Sequence, residues 1–392
     1  MVEEANAAIE ARDFQKAAAL LEKFLASRPE EASARMQLGY AYGQMGRKDD
    51  ARREFELVAA AQPKSALAHW NLGVLLLDSD AKAAVPPLQR AAALEPANAG
   101  YHAVLAVAYE RDGRFADAAR SYRTAAELRP NDGETRERLG RVLLAAQRPA
   151  EAEAAFRAAL KINPSSSAAQ LGLVQTLLLQ KRNTEAASSL AEYLKSAPED
   201  NQARLQYAEL LLDGGKFQDA LGEMDHLPAG EGSSASLLEM RVRALVGLKR
   251  FDEAVALQRK AATAAPNSAE AHGRLGRLLL QTRDFTAAEK ELRAALTLDI
   301  HQTDALRDLV AAYYLSERFA EALAAQDMLA KRETPVAGFW FIRAICFDKL
   351  KRKPEALEAY QKFLELEPDK ESDHAFQARQ RVRIIAQELK RK

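Results

Sequence analysis

Residues 99–132 read AGYHAVLAVAYERDGRFADAARSYRTAAELRPND. Leu105, Ala106 and Tyr109 precede Gly113, while Phe115, Ala118, Tyr122 and Ala125 follow it and Pro130 closes the stretch. Apolar residues three and four apart mark helices, and proline ends one because it lacks an amide donor and clashes with the preceding turn. The stretch predicts a helix, a turn and a second helix.

The same pattern continues in both directions. Pro29, Pro63, Pro96, Pro130, Pro164, Pro198, Pro266 and Pro368 are separated by 34, 33, 34, 34, 34, 68 and 102 residues. A period of that size decides the architecture before any motif does. In this register position 20 is always alanine, from Ala17, Ala51 and Ala84 through Ala118 and Ala220 to Ala356. Position 8 is small at Ala5, Gly39, Gly73, Ala106, Gly140 and Gly276, and valine at Val174, Val242 and Val310. Small residues at both positions let two antiparallel helices approach closely, and leucines such as Leu38, Leu72 and Leu139 at position 7 fill the space between them.

These features resemble the tetratricopeptide repeat (TPR) family over nearly the whole chain. The resemblance implies an all-α fold: a right-handed α-solenoid (superhelix) of about eleven helix-turn-helix repeats. The array spans 1–368, with repeats near 1–31, 32–65, 66–98, 99–132, 133–166, 167–200, 201–234, 235–268, 269–302, 303–336 and 337–368. Residues 228–234, Pro-Ala-Gly-Glu-Gly-Ser-Ser, are the candidate hinge. Beyond Pro368, Ala378, Val382, Ile385, Ala386 and Leu389 fall at helical spacing, so 369–392 reads as a C-terminal capping helix. The repeat from Ala66 is one residue short at 78–82, and its Pro86 and Pro87 read as first-turn prolines of the second helix, where proline is tolerated.

Lysine plus arginine equals aspartate plus glutamate at 56 each, so no global field draws nucleic acid or an anionic membrane. Cys346 is the only cysteine, which excludes an internal disulfide and a cysteine-based zinc site. No stretch approaches 18 consecutive apolar residues, so no membrane insertion is expected. The reading is a soluble chain, cytoplasmic, or periplasmic or secreted if an export signal has been removed; it begins inside a repeat, which leaves an upstream segment open. Walker-type, Gly-x-Ser-x-Gly and His-Glu-x-x-His motifs are absent, and His69, His102 and His272 all occupy position 4, a packing position. No catalytic residue, cofactor or metal is expected.

In arrays of the kind this sequence resembles, first helices line the concave surface, with positions 2, 5, 6, 9, 12 and 13 facing inward. Those positions hold Arg138, Arg141, Arg243, Arg274, Arg277 and Arg307. Guanidinium forks suit carboxylates, so the arginines read either as a site for an acidic or C-terminal peptide segment, or as a ladder paired internally with Glu239, Glu270, Asp304 and Asp308. Met36, Tyr40, Trp70, Asn71 and Val74 form a second, apolar candidate patch, unless Trp70 simply packs on the adjacent repeat. The terminal-carboxylate clamp of chaperone-binding relatives is not matched, because only Asn71 fits and Met36 and Tyr40 stand where a lysine and an asparagine belong. The expected function is a scaffold or adaptor that holds an extended peptide or partner protein in the concave groove. The alternatives are a regulatory or substrate-recruiting portion of a larger enzyme or of a secretion or assembly machine, and an RNA-binding helical repeat, which neutral charge argues against.

Overall fold

Each repeat becomes a hairpin of two helices in the computed structural model, which describes residues 1–228 and 235–390. Among the described residues there are 23 α-helices and no strand. The hairpins are α1 (Val2–Glu10) with α2 (Phe14–Ser27), α3 (Ala32–Gln44) with α4 (Lys48–Ala61), α5 (Ala66–Leu77) with α6 (Ala81–Leu94), and α7 (Ala99–Arg111) with α8 (Phe115–Leu128). Next come α9 (Gly133–Ala145) with α10 (Pro149–Ile162), α11 (Ser167–Leu179) with α12 (Asn183–Ser196), and α13 (Asn201–Asp213), followed by α14 (Phe217–Asp225). The remainder are α15 (Ala235–Gly247) with α16 (Phe251–Ala264), α17 (Ala269–Gln281) with α18 (Phe285–Leu298), α19 (Thr303–Leu315) with α20 (Phe319–Ala330), α21 (Ala337–Lys349) with α22 (Lys353–Leu366), and α23 (Asp373–Lys390). The chain forms two compact units, Met1–Leu210 and Leu211–Lys392, the division falling inside α13. Of the expected hinge at 228–234, residues 229–234 lie outside the described residues.

Local chemistry sets the helix ends. Asp132 accepts hydrogen bonds from the Thr135 amide at 3.0 Å and its hydroxyl at 2.7 Å, capping α9, and Ser65, Ser166 and Ser268 cap α5, α11 and α17 in the same way. At the other end α8 stops at Leu128, because Arg129 must be extended before Pro130. The turn between helices needs one left-handed residue, supplied by Gly113 at φ 74° and, less comfortably, by Gln147 at φ 58°. Pro86 and Pro87 depart from the sequence reading: α6 starts at Ala81, capped by Asp80, so both prolines lie in the second turn instead of the first. The missing residue shortens α5 to 12 residues against 13 in α3 and α7, and the turn of three residues before the second helix is kept.

The alanines at position 20 are all wholly buried, from Ala17 to Ala356. Position 8 faces position 24 of the same hairpin. A Cβ built on Gly39 would stand 2.6 Å from the Phe55 ring, one on Gly73 2.4 Å from Leu88, and one on Gly276 2.6 Å from Leu292. The small residue is therefore a socket for a large one, which contributes roughly 2–3 kcal/mol by its burial. Phe217, at the start of α14, lies against Gly247 of α15, where an added Cβ would meet its ring at 2.5 Å; the phenylalanine staples the turn to the next repeat.

Two further devices recur. At position 4, His69, His102, Gln170 and His272 each place a side-chain nitrogen 3.0–3.2 Å from the carbonyl of the proline six residues upstream. At position 16 an arginine donates to an acid three residues on, as in Arg114 to Asp117, Arg148 to Glu151, Arg182 to Glu185 and Arg250 to Glu253. Where position 11 is tyrosine, the same guanidinium stacks on it, 4.1 Å from Tyr42, 4.6 Å from Tyr109 and 4.7 Å from Tyr313. At the C-terminal end α23 buries Ala375, Ala378 and Ile385, and its Arg381 makes a two-bond pair with Asp348 of α21 at 2.6 and 2.7 Å.

Candidate peptide-binding faces

In the unit Met1–Leu210 the candidate apolar residues come together on consecutive first helices, Met36 and Tyr40 on α3 and Trp70, Asn71 and Val74 on α5. Tyr40 is 46% exposed and meets Phe14 edge-on at 6.2 Å between ring centroids. Met36 and Val74 are half-buried against the hydrophobic core, and Asn71 is half-buried as well. Trp70 does pack on the adjacent repeat, its ring 6.0 Å from that of Tyr101 on α7, while remaining half-buried. Among the described residues its indole Nε1 is buried with no hydrogen-bond partner, and so is the Oε1 of Gln37 on α3. Leu67 and Leu179, which the sequence reading passed over, are 53% and 62% exposed at inward positions 2 and 13. Their position numbers were the available signal.

Further along this unit, Arg138 pairs with Glu134 one turn back on α9 at 2.8 Å, and Arg141 reaches Glu110 of α7 at 3.5 Å. Glu110 also accepts from the buried Tyr122 hydroxyl at 3.0 Å; burial first, then this carboxylate, pushes the phenol up to about 12.

In the unit Leu211–Lys392 the arginines form a ladder. Arg243 pairs with Asp213 at 2.6 Å. Arg274 pairs with Glu270 at 2.7 Å and with Glu239 of the preceding first helix at 3.1 Å. Arg277 reaches across to Asp308 at 2.8 Å and Asp304 at 3.5 Å, and Arg307 holds Asp304 at 2.7 Å and also Glu333. Hydrogen bonds donated to these acids hold the Arg277 and Arg307 guanidiniums more firmly protonated than usual. All six candidate arginines thus carry an internal carboxylate, and the four acids named as competitors are all engaged, by Arg274, Arg277 and Arg307. Between α15 and α17 the ladder frames a cleft of about 300 Å³ lined by Val242, Val246 and Leu278, with Gln258 of α16 in it.

His272, beside Glu291 at 2.6 Å and the Pro266 carbonyl, is fixed in place by packing partners, as are His69 and His102 by theirs. The Cys346 thiol is buried, which pushes it up to about 11. Among the described residues no group of three or more His, Cys, Asp or Glu side chains is placed to hold a metal ion, and no helix is long and apolar enough to cross a membrane.

Tetratricopeptide repeat profiles match residues 137–200, 182–233, 274–337 and 307–371; others of the same description match 8–72, 245–299 and 102–136. The chain belongs to the tetratricopeptide repeat family. As a TPR protein it is an all-helical scaffold of the protein-interaction kind. No sequence among curated proteins matches it. Among solved structures, a chain in Naa15/Naa10 bound to HypK-THB is similar at 14% identity and a TM-score of 0.52, covering 94% of this chain and 63% of that one. This TPR chain therefore spans less than two thirds of that relative. MamA from residue 41 onward of Desulfovibrio magneticus RS-1 is similar at 21% identity over 42% of this chain and 93% of its own, with a TM-score of 0.39. A crystal structure of MamA protein gives 23%, 42%, 91% and 0.40 for the same quantities.

Proposed function

We propose that this TPR chain holds an extended polypeptide against its first-helix faces. The observation that carries the reading is the apolar patch on α3 and α5, where Tyr40 and Leu67 stand about half in solvent beside Met36, Trp70 and Val74. Exposed aromatic and aliphatic side chains on successive helices of a rigid stack give a chain without structure of its own a place to bury its apolar residues. In the other unit, an acidic segment of the ligand engages Arg274, Arg277 and Arg307 by exchanging with the internal carboxylates. Such exchange adds little net affinity at an exposed ion pair and sets selectivity instead.

Selection of a displayed random dodecapeptide library on the full chain tests the reading. Enriched peptides should carry aromatic or aliphatic residues and bind Tyr40→Ser/Leu67→Ser at least about tenfold more weakly, a loss of about 1.4 kcal/mol. Asp304→Asn/Asp308→Asn, which frees Arg277, should bind acidic members several-fold more tightly. No enrichment, or enrichment indifferent to both pairs of substitutions, defeats the reading. A second reading, the recruiting portion of a larger enzyme or assembly machine, draws on fold-level analogy with a multi-chain complex. It predicts a stoichiometric folded partner on size-exclusion chromatography of the natively expressed chain.

A further inference from the structure

Position 24 is the centre of each hairpin, filled by Leu21, Leu88, Phe156, Leu190 and Leu292, every one of them wholly buried. In the hairpin of α15 and α16 it is Gln258, 3% exposed. Among the described residues nothing hydrogen-bonds its side-chain amide. Gln326, the other glutamine at this position, is turned inward instead: it donates to the Phe339 carbonyl at 3.1 Å, and among the described residues its Oε1 is buried without a partner. Its amide oxygen and nitrogen are not sealed in the core but reach a cleft, so a ligand group that covers them without hydrogen-bonding leaves them unmatched. Gln258 also lines the cleft between α15 and α17, whose walls are Val242, Val246 and Leu278 and whose rim carries Arg243, Arg274 and Arg277. Gln258 and Arg274 line a second cleft as well. Unlike the glycines and alanines that meet position 24 elsewhere, Val242 at position 8 is only half-buried, so the hairpin is open where the others are filled.

We propose that the cleft over Gln258 receives an uncharged amide side chain, glutamine or asparagine, from the polypeptide held on this face; the proposal rests on the peptide-holding function above. The rim arginines are already paired with Asp213, Glu239, Glu270, Asp304 and Asp308. A carboxylate is drawn to the rim arginines, where it exchanges with one of these, and an aliphatic side chain entering the cleft leaves Gln258 unmatched. A second amide donates to the Gln258 carbonyl and accepts from its NH₂, completing a two-bond pair between apolar walls with every rim ion pair intact.

The test titrates the full chain with N-acetylglutamine methylamide, and in parallel with the methionine and glutamate analogues. NMR follows the Gln258 side-chain amide, assigned by its loss in Gln258→Leu, and the methyl groups of Val242 and Leu278. The glutamine compound should shift all three saturably, with the other two compounds at least about tenfold weaker, or 1.4 kcal/mol. Gln258→Leu and Gln258→Met should fold with melting temperatures close to the parent's, and the Val242 and Leu278 methyl groups in them should stop responding. No shift, equal affinity for the methionine compound, or an undiminished methyl response in both variants overturns the proposal. The peptide selection and the Tyr40 and Leu67 variants do not involve Gln258. Selected peptides that need no amide residue defeat the pocket and leave the peptide reading standing; binding of the glutamine compound without any peptide selection does the reverse.

Discussion

Phe156 is wholly buried between two glycines of successive repeats. A Cβ on Gly140 would stand 2.7 Å from its ring and one on Gly172 2.4 Å, closer than real Cβ atoms come. The ring cannot move away from one without meeting the other, so Gly172→Ala should destabilise the chain by about 1–3 kcal/mol through overpacking. Phe156→Leu should recover much of that loss in the double variant although it costs stability on its own. Thermal melts of the four proteins give the coupling; additive losses would show that the ring has room to turn. Gly140 was legible as a position-8 socket. Gly172 was not, since position 6 reads as an inward-facing site and only the coordinates show the neighbouring ring beneath it.

At the scale of the helix, the recurring link between second helices is acid-to-arginine. Glu153 of α10 accepts from Arg157 at 2.9 Å, from Arg182 of the next turn at 2.6 Å and from Gln180 at 3.1 Å. Burial alone would raise this carboxyl, but the three donors outweigh it and hold it below its ordinary value of 4.5. A lowered folded value means that ionised Glu153 stabilises the fold fully above about pH 4.5 and that this contribution fades as pH falls through the folded value. Glu153→Gln should therefore melt lower than the parent at pH 7, by the equivalent of about 1–3 kcal/mol, and the gap should close at pH 3. A gap independent of pH would assign the loss to packing. The elements themselves were largely readable in advance: the 34-residue period of prolines, the alanines at position 20 and the small residues at position 8 place the helices from the sequence. The side-chain partners were readable only in part. Arg277 with Asp308 was among the pairings weighed, but Arg307 with Glu333 depends on how α19 meets the end of α20, a distance no periodicity carries. Gln258 carried a signal, a glutamine in a column that only Gln326 shares with it, that becomes visible only once position 24 is known to be the centre of the hairpin.

Over the whole molecule, 56 basic and 56 acidic residues cancel, and the structure shows how they are distributed: arginines and carboxylates interleave within a repeat, as in Arg114 with Asp117, and between repeats, as in Arg182 with Glu153. Among the described residues, guanidiniums so paired with carboxylates offer a phosphate backbone few counterions to release. Single-stranded RNA should therefore not be retained in filter binding at low salt, where electrostatic attachment is strongest. Selected peptides should divide by salt. Those bound through Tyr40 and Leu67 should keep their affinity as salt rises, because apolar burial is not screened, while those bound through Arg274 and Arg277 should lose it over the range in which the screening length shrinks from about 30 to about 10 Å. Retention of RNA with an affinity falling steeply with salt would reveal a basic track that these pairings hide, and would move the chain from the polypeptide-holding to the nucleic-acid-binding repeats.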